Sequence, residues 1–494
     1  MKKSIAADWF HARPLDSADK RAALILFVVA LAWRGAAACL VQGYALDEAI
    51  FGVRTVHALL NGIWPLHFVN APYGFPLIEW IAAPFFAWFG PSLVWFRLPS
   101  ILMGAAATAG LFLLLVRHVP RAVAVPAALF VACPTGLHLT FISLASTYGP
   151  GLLVIVAMIV LLGRTTVESP LRRYVRAGLG AGCLHFIFPQ VRIYLVTWAL
   201  IVLGPHLLRL VRRTHRHRQR TVEGAALLAV ALLVAAGYHY LTRPTGYRLT
   251  LPFAACWSIG GAILAGCGWT LLRRQAAWRA IAKRWLAFTA MFVISALPVQ
   301  FAYSHWQKAK LETGTPHDAS RFSLKHIHQW PAQGLFFAGR IVPLALGEST
   351  TGLSFALAEE RPPTVPRVVV GLVAIGLWLV AAAALLKSTK GADRLKLLWW
   401  LLPPVATALL ITPSWNLATE LQARYFTLSH FGVWLPFAFV LSRLRSRILA
   451  AGLMASLLAW NACEAFVLWP RFWNQHAQPY ALVSQPAAPA APAR

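Results

Sequence analysis

Apolar runs of about 15–25 residues recur along nearly the whole chain, which is the length a helix needs to cross a bilayer. In lipid every backbone N–H and C=O must find its partner within the chain, so runs of this kind fold as helices. The first spans Ala22 to Val41. Further spans are expected near 96–116, 122–139, 144–162, 177–188, 193–211, 225–241, 251–272, 285–301, 368–386, 397–411, 426–441 and 448–468. Leu77 to Phe89 is apolar but short, is interrupted by Pro84 and ends at Gly90-Pro91, so it reads as a short span or a re-entrant piece. With 59% hydrophobic and 12% charged residues, no interval is long and polar enough for a large soluble domain. The expected fold class is all-α, a polytopic transmembrane helical bundle of about 11–14 spans with interfacial helices on the outer face. The six cysteines all fall in apolar stretches without metal-ligand spacing, which points to packing and not to a disulfide framework.

The formal charge of +29 is largely topology. Lys and Arg gather in the loops at 209–220, 273–284, 387–396 and 443–447, which marks those loops as inside. With residues 1–21 also inside, the parity closes only if one early apolar piece does not cross. Residues 77–89 are the candidate, and 177–188, cut short by Pro189, are the rival. About 13 crossings then remain, with the carboxyl terminus outside. The chain divides into a cytoplasmic segment (1–21), a transmembrane core (22–303) with its first outer loop at 42–76, an outer segment (304–367), C-terminal transmembrane helices (368–468) and a tail (469–494) expected to be disordered. The charge favours contact with anionic membrane lipids and gives no ground for nucleic-acid binding. The Ala/Arg-rich composition suggests a bacterial inner (plasma) membrane.

Directly after the first span comes Tyr44-Ala-Leu-Asp47-Glu48-Ala-Ile-Phe51. Two adjacent carboxylates thus stand at a membrane surface in a chain with only 16 acids. Ile50, Val53, His57 and Leu60 share one helical face, and Asn61-Gly62 is a stop signal, so a short helix lying on the membrane is expected here. Asp47 is also a preferred helix N-cap, a role that needs no chemistry. The outer segment carries His305, His317, Asp318, His326, His328 and Glu348, at spacings that match no standard metal site. No Gly-rich phosphate loop of the P-loop or Rossmann kind is present.

The order of these features resembles the GT-C class of membrane glycosyltransferases, which includes protein O-mannosyltransferases and lipid A aminoarabinose transferases. The matching stretches are Leu46-Asp47-Glu48 after the first span, Pro76-Leu-Ile-Glu79-Trp80, Phe89-Gly90-Pro-Ser, and Phe96-Arg97-Leu-Pro-Ser100-Ile-Leu-Met-Gly104. Pro134 to Tyr148 matches more loosely, and Arg424-Tyr425 resembles a late Arg-Tyr pair of the class. The likeness covers about the first third of the chain, and the order of its short motifs carries it.

The resemblance implies transfer of a sugar from a polyprenyl-phosphate-linked donor to a lipid, glycan or protein acceptor at the outer face. It implies Asp47 as the catalytic base, with Glu48 beside it, and Arg97, Tyr148, Arg424, Tyr425 and Glu79 among the substrate contacts. A divalent metal ion is a candidate cofactor, with unknown ligands. The chain also departs from the class. Aminoarabinose transferases carry a Glu-Lys-Pro-Pro element in the first outer loop, where this chain has Tyr73-Gly-Phe-Pro76; Glu48 or Glu79 would have to substitute. Ser143 to Thr147 lacks an arginine often found before the tyrosine. Two other readings stay open: a polysaccharide polymerase or ligase, which would lean on Arg321 and Arg340, and a transporter or flippase for lipid-linked glycans. The second is disfavoured by spans almost free of acid and by the lack of an internal repeat.

Overall fold

The structure is a computed structural model. It describes residues 14–44, 48–66, 68, 75–139, 148–165, 169–188, 191–202 except 192, 196 and 200, 283–296, 334–342 except 336, 365–389, 392–411 and 429–476. These form an all-α polytopic bundle. Its helices are α1 (Ser17–Leu40), α2 (Val53–Leu60, entered through a π-turn at Glu48–Gly52), α3 (Leu77–Phe89), α4 (Leu93–Leu115), α5 (Arg121–Ala132), α6 (Gly136–Leu139), α7 (Gly151–Gly163), α8 (Leu171–Ile187), α9 (Val365–Ser388), α10 (Ala392–Ile411), α11 (His430–Arg443), α12 (Arg447–Cys463, continued by a π-turn at Glu464–Leu468) and α13 (Trp469–His476). Among the described residues, four helical stretches are long and apolar enough to cross a bilayer: 17–40, 93–115, 365–388 and 447–471.

Contacts between helices fix the direction of each. Arg97 meets Ala38 and Val41 while Gly104 faces Arg34, so α4 runs antiparallel to α1. Arg121 meets Asp19 while Val131 meets Arg34, so α5 runs with α1. Gly149 faces Ser100 and Gly110 faces Val156, so α7 runs with α4. One end of the bundle therefore collects Lys20, Arg21, Arg117, Arg121, Arg164, Arg172, Arg173 and Arg176. That end is the inside by the positive-inside rule.

α3 starts and ends on the outer side. The backbone N–H of Phe75, just before it, bonds to the Phe186 carbonyl at the outer end of α8. After α3 the chain reverses at Gly90, whose φ of 79° is left-handed and easiest for glycine. Ser92 then caps α4 by accepting from the Val94 N–H. Residues 77–89 thus lie along the outer face and do not cross, and the helix runs unbroken through Pro84. Val53, Val56 and Leu59 of α2 pack against Ala82, Ala83 and Phe86 of α3 and Phe96 of α4, so two interfacial helices roof the outer end.

Two sequence expectations change. The span expected at 122–139 breaks at Cys133-Pro134-Thr135, because proline cannot continue the hydrogen-bond ladder, and resumes as the single turn of α6. The tail expected from 469 begins as α13, with Trp469 and Trp473 buried against Ala37, Ala38 and Ile101. The two buried tryptophans and the hydrogen bonds of Asn474 to the end of α1 hold this helix in place.

At the inner end Asp16 and Asp19 form a capping box at the start of α1, each accepting the other's backbone N–H. Arg121 bridges both carboxylates and so ties α5 to α1. The backbone N–H of Asp19 holds the Asp16 carboxyl below its ordinary value, with Arg121 adding to the effect. A depressed carboxyl contributes stability that is complete above the unfolded value and fades as pH falls through the folded one. Asp16→Ala is therefore expected to lower the thermal midpoint in detergent at pH 7, and the gap from wild type should close as pH falls below the carboxylate range. Melting curves across pH check this; a gap that does not change with pH contradicts the cap.

Candidate outer-face active site

The last carbonyls of α1 have no partner within the helix, and they end inside the bundle at the outer side. Arg97, on the first turns of α4, supplies donors to them. Its Nη1 donates to the carbonyls of Ala38 (2.8 Å) and Val41 (2.7 Å), and its Nη2 donates to that of Gly43. The same guanidinium grips Glu48 in a fork: Nε to Oε1 at 3.0 Å and Nη2 to Oε2 at 2.9 Å. Glu48 is fully buried and Arg97 is 3% exposed. All five N–H donors of Arg97 are thereby engaged by the protein. Glu48 also stands at the start of the π-turn that leads into α2, where the positive end of the helix dipole favours a carboxylate.

This arrangement gives Arg97 and Glu48 positioning roles. Arg97, expected among the substrate contacts, has its donors committed to Glu48 and to the end of α1. Glu48, expected beside the base, is an anchor below the surface. Asp47 lies outside the described residues, but its chain neighbour is held by two charge-assisted hydrogen bonds.

Glu79 and Tyr148 reach the same end of the bundle. Glu79, in the first turn of α3, is fully buried. Tyr148 is buried with its ring edge-on to Phe188 at 5.9 Å, at the mouth of α7. Gly149 follows it, and a Cβ there would collide with the Ser100 hydroxyl and press on Ile78. The Tyr148-Gly149 turn therefore sits on α4 one turn below Arg97 and on α3 beside Glu79. Three separated motifs, 76–80, 96–104 and the end of 134–148, meet here. Tyr44, whose ring stacks edge-on to Phe96 at 5.6 Å, closes the near side. Arg424, Tyr425 and the acids and histidines of 305–348 lie outside the described residues, as do Arg321 and the side chain of Arg340. Among the described residues no three His, Cys, Asp or Glu side chains gather to hold a metal ion.

A second polar cluster lies one turn deeper, and the sequence reading had passed over it. The break after α5 strands carbonyls inside the bundle. His430 Nε2 donates to Phe130 O (3.3 Å), Arg34 Nη2 to Val131 O (2.9 Å), Asn461 Nδ2 to Cys133 O (2.7 Å) and Trp33 Nε1 to Pro134 O (3.1 Å). The donors come from α1, α11 and α12. The signal was present in the sequence, because an arginine inside an apolar run needs a buried acceptor. Asn474 on α13 adds a further clamp, donating to Leu40 O and accepting from the Gln42 N–H.

No family model matches the sequence, and no curated protein matches it. Solved structures to which the chain is similar include an oligosaccharyltransferase from Archaeoglobus fulgidus in the apo form, at 13% identity and a TM-score of 0.45, covering 96% of this chain and 57% of that one. They also include the A. fulgidus oligosaccharyltransferase AglB in complex with an inhibitory peptide and a dolichol-phosphate, at 14% identity and a TM-score of 0.42, covering 94% and 56%. A third is ArnT from Cupriavidus metallidurans bound to undecaprenyl phosphate, at 15% identity and a TM-score of 0.26, covering 86% and 77%. The chain thus spans little more than half the length of the archaeal enzymes.

Lysine keeps the charge at position 97 but offers no planar fork and fewer donors. Arg97→Lys is expected to destabilise the protein by about 3 kcal/mol, the scale for disrupting a buried, hydrogen-bonded ion pair. Thermal unfolding in detergent reads this; a loss under about 0.5 kcal/mol, the range of an ordinary surface change, would show that the fork is not structural.

Proposed function

We propose that this protein is a membrane glycosyltransferase of GT-C type. It transfers a sugar from a polyprenyl-phosphate carrier to a hydroxyl of a lipid, glycan or protein acceptor at the outer face, with Asp47 as the base. The observation that carries this reading is the fork between Arg97 and Glu48, which fixes the chain next to Asp47 at the outer end of α1. Base catalysis requires a positioned carboxylate, and an anchored Glu48 next in the chain supports that reading of Asp47.

In this reading Asp47 accepts the proton of the acceptor hydroxyl as its oxygen attacks the anomeric carbon. The bond from that carbon to the phosphate oxygen breaks, and its electron pair leaves with the lipid phosphate. A cation near that phosphate stabilises the departing charge. Arg424 takes this part, with Tyr425 beside it, because the donors of Arg97 are already used. Glu79 and Tyr148 shape the acceptor side. The donor arrives activated and anchored in the membrane, so no soluble nucleotide site is required.

The test uses membranes with wild type or Asp47→Asn at matched expression, a panel of radiolabelled polyprenyl-phosphate sugars, and native lipid and glycan acceptors. Wild type is expected to transfer label, and Asp47→Asn to be slower by on the order of 10²–10⁴-fold. Equal transfer by both removes Asp47 as the base and favours the polymerase or ligase reading.

A further inference from the structure

A groove of about 680 Å³ runs between α7 and α8 and is separate from the outer site. Its walls are apolar, with Val160 on one side and Ala177 and Gly180 on the other. Its inner end is rimmed by Arg164, Arg173 and Arg176, and no acid is among its described lining residues.

The groove follows from the sequence of α8. Ala177 and Gly180 are one turn apart and leave a stretch of small residues between Arg173 and Leu184. A Cβ on Gly180 would come within 2.8 Å of a Leu161 methyl, so even an alanine would press into the wall. From Ala157 to Arg164 the wall climbs seven residues, about 10 Å along the helix axis. That is room for a glycerol backbone and the first part of an acyl chain. The rim is also fixed: Arg173 Nη1 donates to the Arg164 carbonyl at 2.9 Å, which closes the turn between the two helices. Arg173 keeps further N–H donors, and both it and Arg176 are exposed.

The direction of α7 puts this rim on the inner side, at the depth of the cytoplasmic headgroups. Guanidinium forks suit phosphate, and a basic pocket between helices on that side matches an anionic headgroup in charge and depth. We propose that the groove is a binding site for one anionic glycerophospholipid of the inner leaflet. Its phosphate meets Arg173 and Arg176, and one acyl chain lies between α7 and α8. The site is independent of the reaction proposed for the outer face. A polyprenyl-phosphate donor used at that face would sit at the opposite end of the bundle.

The experiment is native mass spectrometry of the purified full chain in detergent, with phosphatidylglycerol and phosphatidylcholine added in equal amounts. One phosphatidylglycerol should stay bound per chain, with about tenfold or greater preference, as expected for a charge-assisted hydrogen bond. Arg173→Gln/Arg176→Gln should lose that preference, and Arg173→Lys/Arg176→Lys should keep most of it. Val160→Trp, which fills the groove and leaves the rim intact, should release the lipid. Equal retention of the two lipids by wild type would overturn the proposal. So would unchanged retention of phosphatidylglycerol in either the Gln or the Trp variant. Tighter binding of a polyprenyl phosphate than of phosphatidylglycerol at the same groove would show that the occupant is wrong. Glycosyl transfer, read separately, reports on the outer site alone.

Discussion

A helix that ends inside a bilayer leaves carbonyls that water cannot reach, and each unsatisfied group costs several kcal/mol. Among the described residues two helices end in that way, and much of the outer half is arranged around them. At the end of α1 the donors are Arg97 from α4 and Asn474 from α13. At the end of α5 they are Trp33, Arg34, His430 and Asn461, drawn from α1, α11 and α12. Residues 300 or more apart in sequence are brought together by backbone acceptors. Such bonds are directional in a way that apolar packing between helices in lipid is not, so they fix register as well as contact.

The same requirement shapes the candidate site. Arg97 is needed in a buried place because α1 stops there. A buried guanidinium is itself costly, and Glu48 neutralises it. Glu48 comes directly after Asp47, so satisfying a helix end also fixes the chain next to the loop carboxylate. α2 and α3 then cover the pair, with Val53, Val56 and Phe86 excluding water. Restricted water access strengthens the interaction between charges placed there, which suits the reaction proposed above. The inner end is built differently. Asp16 and Arg121 work partly exposed, where screening keeps their bond weak, Asp19 is buried beneath them, and the excess arginines face the headgroups.

The class of fold was legible because apolar length and the positions of Lys and Arg are local properties of a sequence. Parity asked for one early piece that does not cross and left 77–89 and 177–188 as the candidates; the contacts of Phe75 and the reversal at Gly90 keep 77–89 on the outer side. Of the site, the adjacency of Glu48, Glu79, Arg97 and Tyr148 at one end could be anticipated from the order of motifs. Their division of labour could not. Whether an arginine at a helix start faces a ligand or the carbonyls of another helix depends on where that helix stops, which is a tertiary fact. The break at Cys133–Thr135 could have been read from Pro134 itself. Its four donors could not have been matched to it, although Arg34 within an apolar run gave notice that an acceptor lay nearby. The helical state of 469–476 was hidden because Trp469 and Trp473 find their packing partners on α1, more than 400 residues earlier.

The account depends on Arg97 and Glu48 acting as one unit, and a double-mutant cycle measures that most directly. Stability in detergent would be compared for wild type, Glu48→Gln, Arg97→Met and the double variant. Each single change leaves one buried charge uncompensated and the double change removes both charges, while both Arg97 variants also take a donor from the carbonyls of Ala38, Val41 and Gly43. The cycle is therefore expected to give a coupling of about 2–3 kcal/mol, with the double variant little worse than Arg97→Met alone. Additivity within about 0.5 kcal/mol would mean that the two residues act independently, and it would contradict the anchor at Glu48.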